Sequence, residues 1–223
     1  MKEGVIKFNL VQAQLRSLYF PPEIKKGLQE LTAWRQRLFE LDLIGCDLSR
    51  YGACYGNVSM RYLPQHSLEY TPTKPKGQRA FLISGTQTGK LETLTEQEYV
   101  RVFRYDLSHN QVFAEGAIKP SSEALTHGSI YDIDPTIQVV LHAHTHTLWK
   151  KAKTLRLPTT SERVEYGTPQ MAQEVQRLYR ESYLPLKKIV IMGGHEDGVI
   201  SFGHDAEEAG TILLRFFDQA KRI

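Results

Sequence analysis

The sequence predicts an α/β protein of three layers, α/β/α, around a largely antiparallel central sheet. Three observations carry this. Short apolar runs of strand length alternate irregularly with segments whose apolar residues recur at helical spacing. Hairpin signals lie among them, as at Ser108-His109-Asn110. The strands lack the regular strand–helix–strand alternation that a doubly wound parallel sheet would show.

The elements follow in order. Residues 5–10 alternate in part and are expected to form a short strand. Pro21 and Pro22 open a helix over 23–43, with Leu28, Leu31, Trp34, Leu38 and Leu41 on one face. Residues 56–62 read as a turn into a strand, and 80–84 as a short apolar strand that ends in a turn, SGTQTG. Thr95 starts TEQE, a capping box, so a short helix is expected there. Two strands, 102–107 and 111–114, flank the hairpin turn. Ser121 or Ser122 caps a helix through about Asp132. Residues 136–146 are expected to be one strand with a buried run Val139, Val140, Leu141. Thr168 and Pro169 begin a helix with Met171, Val175 and Leu178 along one face. Strands at 189–192 and 199–202 and a helix over 205–220 complete the chain.

Composition narrows the class. The chain has 223 residues, 41% hydrophobic and 24% charged, which suits one domain with a full core, residues 1–22 being an N-terminal extension. A net charge of +3 without a clustered basic stripe argues against nucleic acid and membrane surfaces. Lys150, Lys151, Lys153 and Arg156 come nearest to such a stripe and read as a solvated helix face. The N-terminus lacks a long apolar core, and no run approaches the ~18 apolar residues of a spanning helix. A cytoplasmic protein is therefore expected, with Cys46 and Cys54 as reduced thiols.

The chemistry concentrates at His142, His144 and His146, which occupy every second position of the strand and are expected to share one face. Imidazoles so spaced can chelate one divalent cation, and neutral imidazole is the usual nitrogen ligand of zinc. A catalytic zinc needs a third protein ligand. His195, after an apolar strand and two glycines, is the leading candidate, and His204 the alternative. Glu123, at the first turn of a helix, is a further candidate for the site.

These residues lie in GNVS (56–59), SGTQTG (84–89), LETLT (91–95), KPSSE (119–123), PTIQVVLHAH (135–144) and GGHEDGVISFG (193–203). In this order the motifs resemble the class II aldolase/adducin family over residues 28–220, fuculose-phosphate aldolases being its best-known enzymes. The resemblance implies the three-layer fold and a metal-dependent, aldolase-like lyase. Its metal, zinc (Zn2+) or another divalent cation, would be held by His142, His144 and His195, with His146 left as an extra. Glu123 would move a substrate proton. Gly56, Asn57, Ser84, Gly85, Ser121 and Ser122 would cradle the phosphate or carboxylate of a small anionic sugar-type substrate, and zinc would polarise its carbonyl or enediolate oxygen. A homotetramer with each site at a subunit boundary is implied too; the polar 158–166 segment is expected to reach a neighbour's site, and Arg163 is its candidate anion contact, because a guanidinium can pair bidentately with phosphate or carboxylate. The family also hosts dehydration, epimerisation and decarboxylation, and non-enzymatic adducin-like interaction domains. This chain departs from the family pattern in placing Glu196 and Asp197 directly after the last histidine.

Overall fold

The computed structural model describes residues 4–15, 17–63 and 75–223. Eight strands form its centre: β1 (Asn9–Leu15), β4 (Asn57–Arg61), β5 (Phe81–Ser84), β6 (Tyr99–Asp106), β7 (Gln111–Gly116), β8 (Val139–His144), β9 (Ile189–Ile191) and β10 (Gly198–Gly203). They make one sheet in the order β1-β7-β6-β5-β4-β8-β10-β9. Every pairing is antiparallel except β1 with β7, which is parallel. A separate two-stranded ribbon joins β2 (Gly45–Asp47) to β3 (Ala53–Tyr55).

Side chains alternate across the strands, so each strand feeds two cores. On one face Leu82, Leu141, Ala143 and Val199 pack against α1 (Pro22–Glu40) and α6 (Ala206–Lys221), with Leu148 of the short α3 (His146–Lys151). On the other face Phe81, Ile83, Val140 and Ile200 pack under α2 (Ala124–Ile133) and α4 (Pro169–Glu181), with Leu184 of α5 (Leu184–Lys187). The three layers expected from the sequence are therefore present. Among the described residues no helix is long and apolar enough to cross a membrane.

Several boundaries differ from expectation, each for a local reason. The first strand runs over Asn9–Leu15 rather than 5–10, because its partner β7 begins opposite Asn9, at Gln111. Helix α1 stops at Glu40. Leu41 caps it and is 39% exposed instead of joining the buried stripe, and the chain turns at Asp42, whose φ is 56°. Helix α2 starts after Glu123, with the Ser121 hydroxyl accepting the Glu123 N–H at 3.3 Å, so neither serine is the capping position itself.

Strand β8 covers less than 136–146. Thr136 bonds back to the Asp134 carboxylate in a turn, and Thr145 caps α3 by accepting the Leu148 N–H. Cys46 and Cys54 face each other across the β2–β3 ribbon and form a disulfide, where reduced thiols were expected. Register, not spacing along the sequence, brings the two thiols together.

Candidate metal centre

His142 and His144 project from β8 onto the α2 side of the sheet, one residue apart in the pleat. His195 arrives from the β9–β10 turn, which closes with His195 N–H on Met192 O at 3.1 Å and Gly198 N–H on His195 O at 2.9 Å. The two glycines before it are needed for packing. A Cβ on Gly193 would stand 2.2 Å from Thr160 O, and one on Gly194 2.0 Å from Val164 O.

The three rings converge. Their centroids lie 5.1 Å (His142–His144), 5.1 Å (His142–His195) and 4.7 Å (His144–His195) apart. All three residues are buried, and one ligand atom from each falls within 4.8 Å of the others. His142 Nδ1 faces the Val199 carbonyl at 3.1 Å, so it carries the proton and Nε2 is left as the donor atom. Three buried imidazoles are the donor set zinc favours, and these could hold such a cation.

His146 is not the third member of this face. It is the first residue of α3, half-exposed, and its Nδ1 stands 2.9 Å from the Asp197 carboxylate. The Thr145 cap ends the alternation that would have aligned it. His204 is remote from the centre as well, exposed and paired with Glu208 at the start of α6.

Glu123 occupies the N-cap position of α2, is 2% exposed, and places Oε1 3.7 Å from His195 Nδ1. Beside it Gly56, Asn57, Gly85, Ser121, Ser122 and His142 line one narrow polar recess. Gly56 has φ +77° and sits against Ile44, a position that excludes a side chain. Asn57 Oδ1 is buried without a hydrogen-bond partner among the described residues, and Asn57 lines that recess.

Ser84 and Gly85 are more committed to the fold than the sequence suggests. The Ser84 hydroxyl accepts the Val58 N–H at 3.1 Å, and Gly85 N–H donates to Glu98 O at 2.8 Å. Arg163 is exposed and does not line the recess. Its segment packs on its own chain: Thr160 Oγ1 accepts the Gly193 N–H at 2.9 Å.

Three tyrosines complete the surroundings, and sequence reasoning did not assign them. Tyr51 and Tyr55, from the 45–55 hairpin, each place a ring 5.1 Å from that of His144. Burial, then the hydrogen bond to Asp197, push the Tyr51 phenol above its ordinary value, and burial does the same for Tyr55. Tyr166 lies 4.5 Å from the His195 ring, with Lys7 over its other face at 3.8 Å and its hydroxyl accepting the Val5 N–H. No motif in the sequence says where these rings land.

Comparison with known proteins agrees with the fold. The chain is similar in structure to a sugar-phosphate aldolase from Thermotoga maritima, at 16% identity over 89% of this chain and 94% of that one, TM-score 0.65. It is similar to L-fuculose-1-phosphate aldolase from Thermus thermophilus, at 18% identity over 86% and 90%, TM-score 0.58. A candidate aldolase/epimerase/decarboxylase from Escherichia coli matches at 18% identity over 90% and 89%, TM-score 0.61. No curated protein matches the sequence. At such identities the likeness establishes the fold, while the family model covers residues 47–220, the span that holds all three histidines and Glu123. The chain belongs to the family of class II aldolase and adducin N-terminal domains.

Proposed function

We propose that the protein is a metal-dependent lyase of the aldolase type, acting on a small phosphorylated or carboxylated sugar derivative. The observation that carries this is the convergence of His142, His144, His195 and Glu123 beside one polar recess. A non-enzymatic scaffold gains nothing from burying four such groups together, since buried ionisable side chains carry a desolvation cost.

When bound, zinc or another divalent cation would supply Lewis acidity toward a substrate oxygen. The chain's own residues do the rest. Glu123 takes the proton from the carbon next to the substrate carbonyl in the synthetic direction and returns it in cleavage. The Asn57 amide and the hydroxyls of Ser121 and Ser122, at the N-terminus of α2, hold the substrate anion, and Gly56 and Gly85 allow close backbone approach. Ser84 stands behind them and fixes the start of β4. The same constellation suits dehydration, epimerisation or decarboxylation, because each also begins beside a polarised carbonyl or carboxylate.

The test has two arms. Metal content of the purified chain should fall to background in the variant that combines His142→Ala, His144→Ala and His195→Ala. Wild-type metal content in that variant would sink the ligand assignment. A screen of aldehydes with dihydroxyacetone phosphate, beside sugar phosphates and sugar acids, should find turnover that Glu123→Gln lowers ~10²–10⁴-fold. Near-normal turnover in Glu123→Gln excludes its role.

The proposal includes a homotetramer in which the exposed Arg163 meets the anion in a neighbouring subunit's recess, a fork geometry suited to phosphate or carboxylate. Light scattering should give four chains per particle. A monomer at micromolar concentration removes both the ring and the shared contact.

A further inference from the structure

The turn that delivers His195 continues through Glu196 and Asp197, which neither the metal nor the recess uses. Asp197 is fully buried, with a φ of +64°. Asp and Asn tolerate that left-handed backbone better than other residues with side chains. Its carboxylate has three partners. The Tyr51 hydroxyl donates to Oδ2 at 2.6 Å, Arg50 Nη2 stands 2.6 Å from Oδ2, and His146 Nδ1 stands 2.9 Å from Oδ1. Its main-chain oxygen accepts the Thr145 N–H at 2.9 Å.

These contacts join three pieces of chain. One is the β8–α3 junction, immediately after His144. The second is the His195 turn itself. The third is the hairpin whose Tyr51 and Tyr55 lie against the His144 ring. A carboxylate is suited to the task because its two oxygens accept several donors at once. Burial of its charge is tolerated because Arg50 pairs with it.

His146, Glu196 and Asp197 also lie close enough together to resemble a second cation site. The Arg50 guanidinium already fills that role, 2.6 Å from Asp197 and 3.4 Å from Glu196.

We propose that Asp197 is the positioning residue of the metal centre, locking the His144 and His195 segments and the tyrosine hairpin into one arrangement. The inference rests on the metal reading above. Residues that orient ligands from behind are worth ~10–100-fold in metal affinity, and Asp197 acts at this level without touching the cation.

The test uses the full chain with Asp197→Gly, Asp197→Asn and Tyr51→Phe, and Glu196→Gln as control. Glycine keeps the backbone conformation and removes the side chain. Asparagine keeps the conformation and one acceptor but removes the charge. Zn2+ affinity is read by competition with a chromophoric chelator, coordination geometry by the visible spectrum of the Co2+-loaded protein, and fold by thermal unfolding of the metal-free chain. Asp197→Gly should lose tenfold or more in Zn2+ affinity and shift the Co2+ bands. Asp197→Asn and Tyr51→Phe should show smaller losses in the same direction, and Glu196→Gln should match wild type. Should Asp197→Gly fail to fold, the Asn and Phe variants decide: unchanged affinity and spectrum in both overturn the proposal. A lower unfolding temperature with affinity and spectrum unchanged also overturns it, by leaving Asp197 a purely structural role. A wild-type chain that takes up neither Zn2+ nor Co2+ overturns the metal reading and this inference together. A wild-type chain that binds, beside an Asp197→Gly variant that binds equally well, overturns this inference alone.

Discussion

His127, away from the candidate metal centre, ties the stability of the chain to pH. It sits in α2 one turn beyond Glu123, wholly buried, with Nδ1 2.7 Å from Ser59 Oγ. The same hydroxyl meets Tyr131 at 2.7 Å, so a polar cluster lies inside the core beneath α2. Burial lowers His127 to about 3, which keeps it neutral in the folded state. The consequence for stability has a definite sign. Between the unfolded value of about 6.5 and the folded value of about 3, the unfolded chain binds a proton that the folded chain does not. Stability therefore falls as pH falls through that window, by up to ~1.4 kcal/mol per pH unit from this group. Glutamine is a polar replacement of similar size that does not titrate. Urea unfolding of the metal-free protein at pH 7 and pH 5 should show a smaller acid loss in His127→Gln than in wild type. Equal losses would show that the imidazole does not titrate on unfolding.

At the scale of elements, the sequence was legible where periodicity and chemistry agree. The stripe Leu28, Leu31, Trp34 and Leu38 placed α1, and the Thr95 capping box is present, with the Glu98 carboxylate accepting the Thr95 N–H at 2.7 Å. The buried run before His142 and His144 marked β8, because a strand covered on both faces carries apolar residues without interruption. Legibility failed at the ends. Thr145 looks like a strand residue by propensity, yet its hydroxyl starts α3 and turns His146 away from its two neighbours. The parallel pairing of β1 with β7 depends on partners about a hundred positions apart, as Asn9 with Gln111, and no local signal encodes it. Glycine gave a similar lesson. Gly210 looks like a weak point in α6, but a Cβ there would stand 2.1 Å from Trp34, so it is the close contact between α6 and α1.

For the molecule as a whole, spacing offered His142, His144 and His146 alike, and only motif order narrowed the ligand candidates to the three histidines that the fold gathers. The tyrosines against His144 and His195 could not be read ahead of the fold, since their placement depends on a hairpin and on a loop folded over the turn. The same geometry has a thermodynamic consequence. His142 and His144 come from β8, and His195 comes from a turn some fifty positions later, so only the folded chain assembles all three. A cation that binds the native state and not the unfolded one stabilises it by about 2.7 kcal/mol at a free concentration one hundred times its Kd. For a chain of this size each kcal/mol raises Tm by about 2–4 °C, so saturating Zn2+ should raise it by roughly 5–11 °C over the chelator-treated protein. His144→Ala should lose most of that shift, because two imidazoles bind far more weakly than three and its removal leaves the metal-free fold largely as it was. A wild-type chain whose Tm is the same with Zn2+ and with chelator would show that the three histidines, though gathered, do not hold a cation in common.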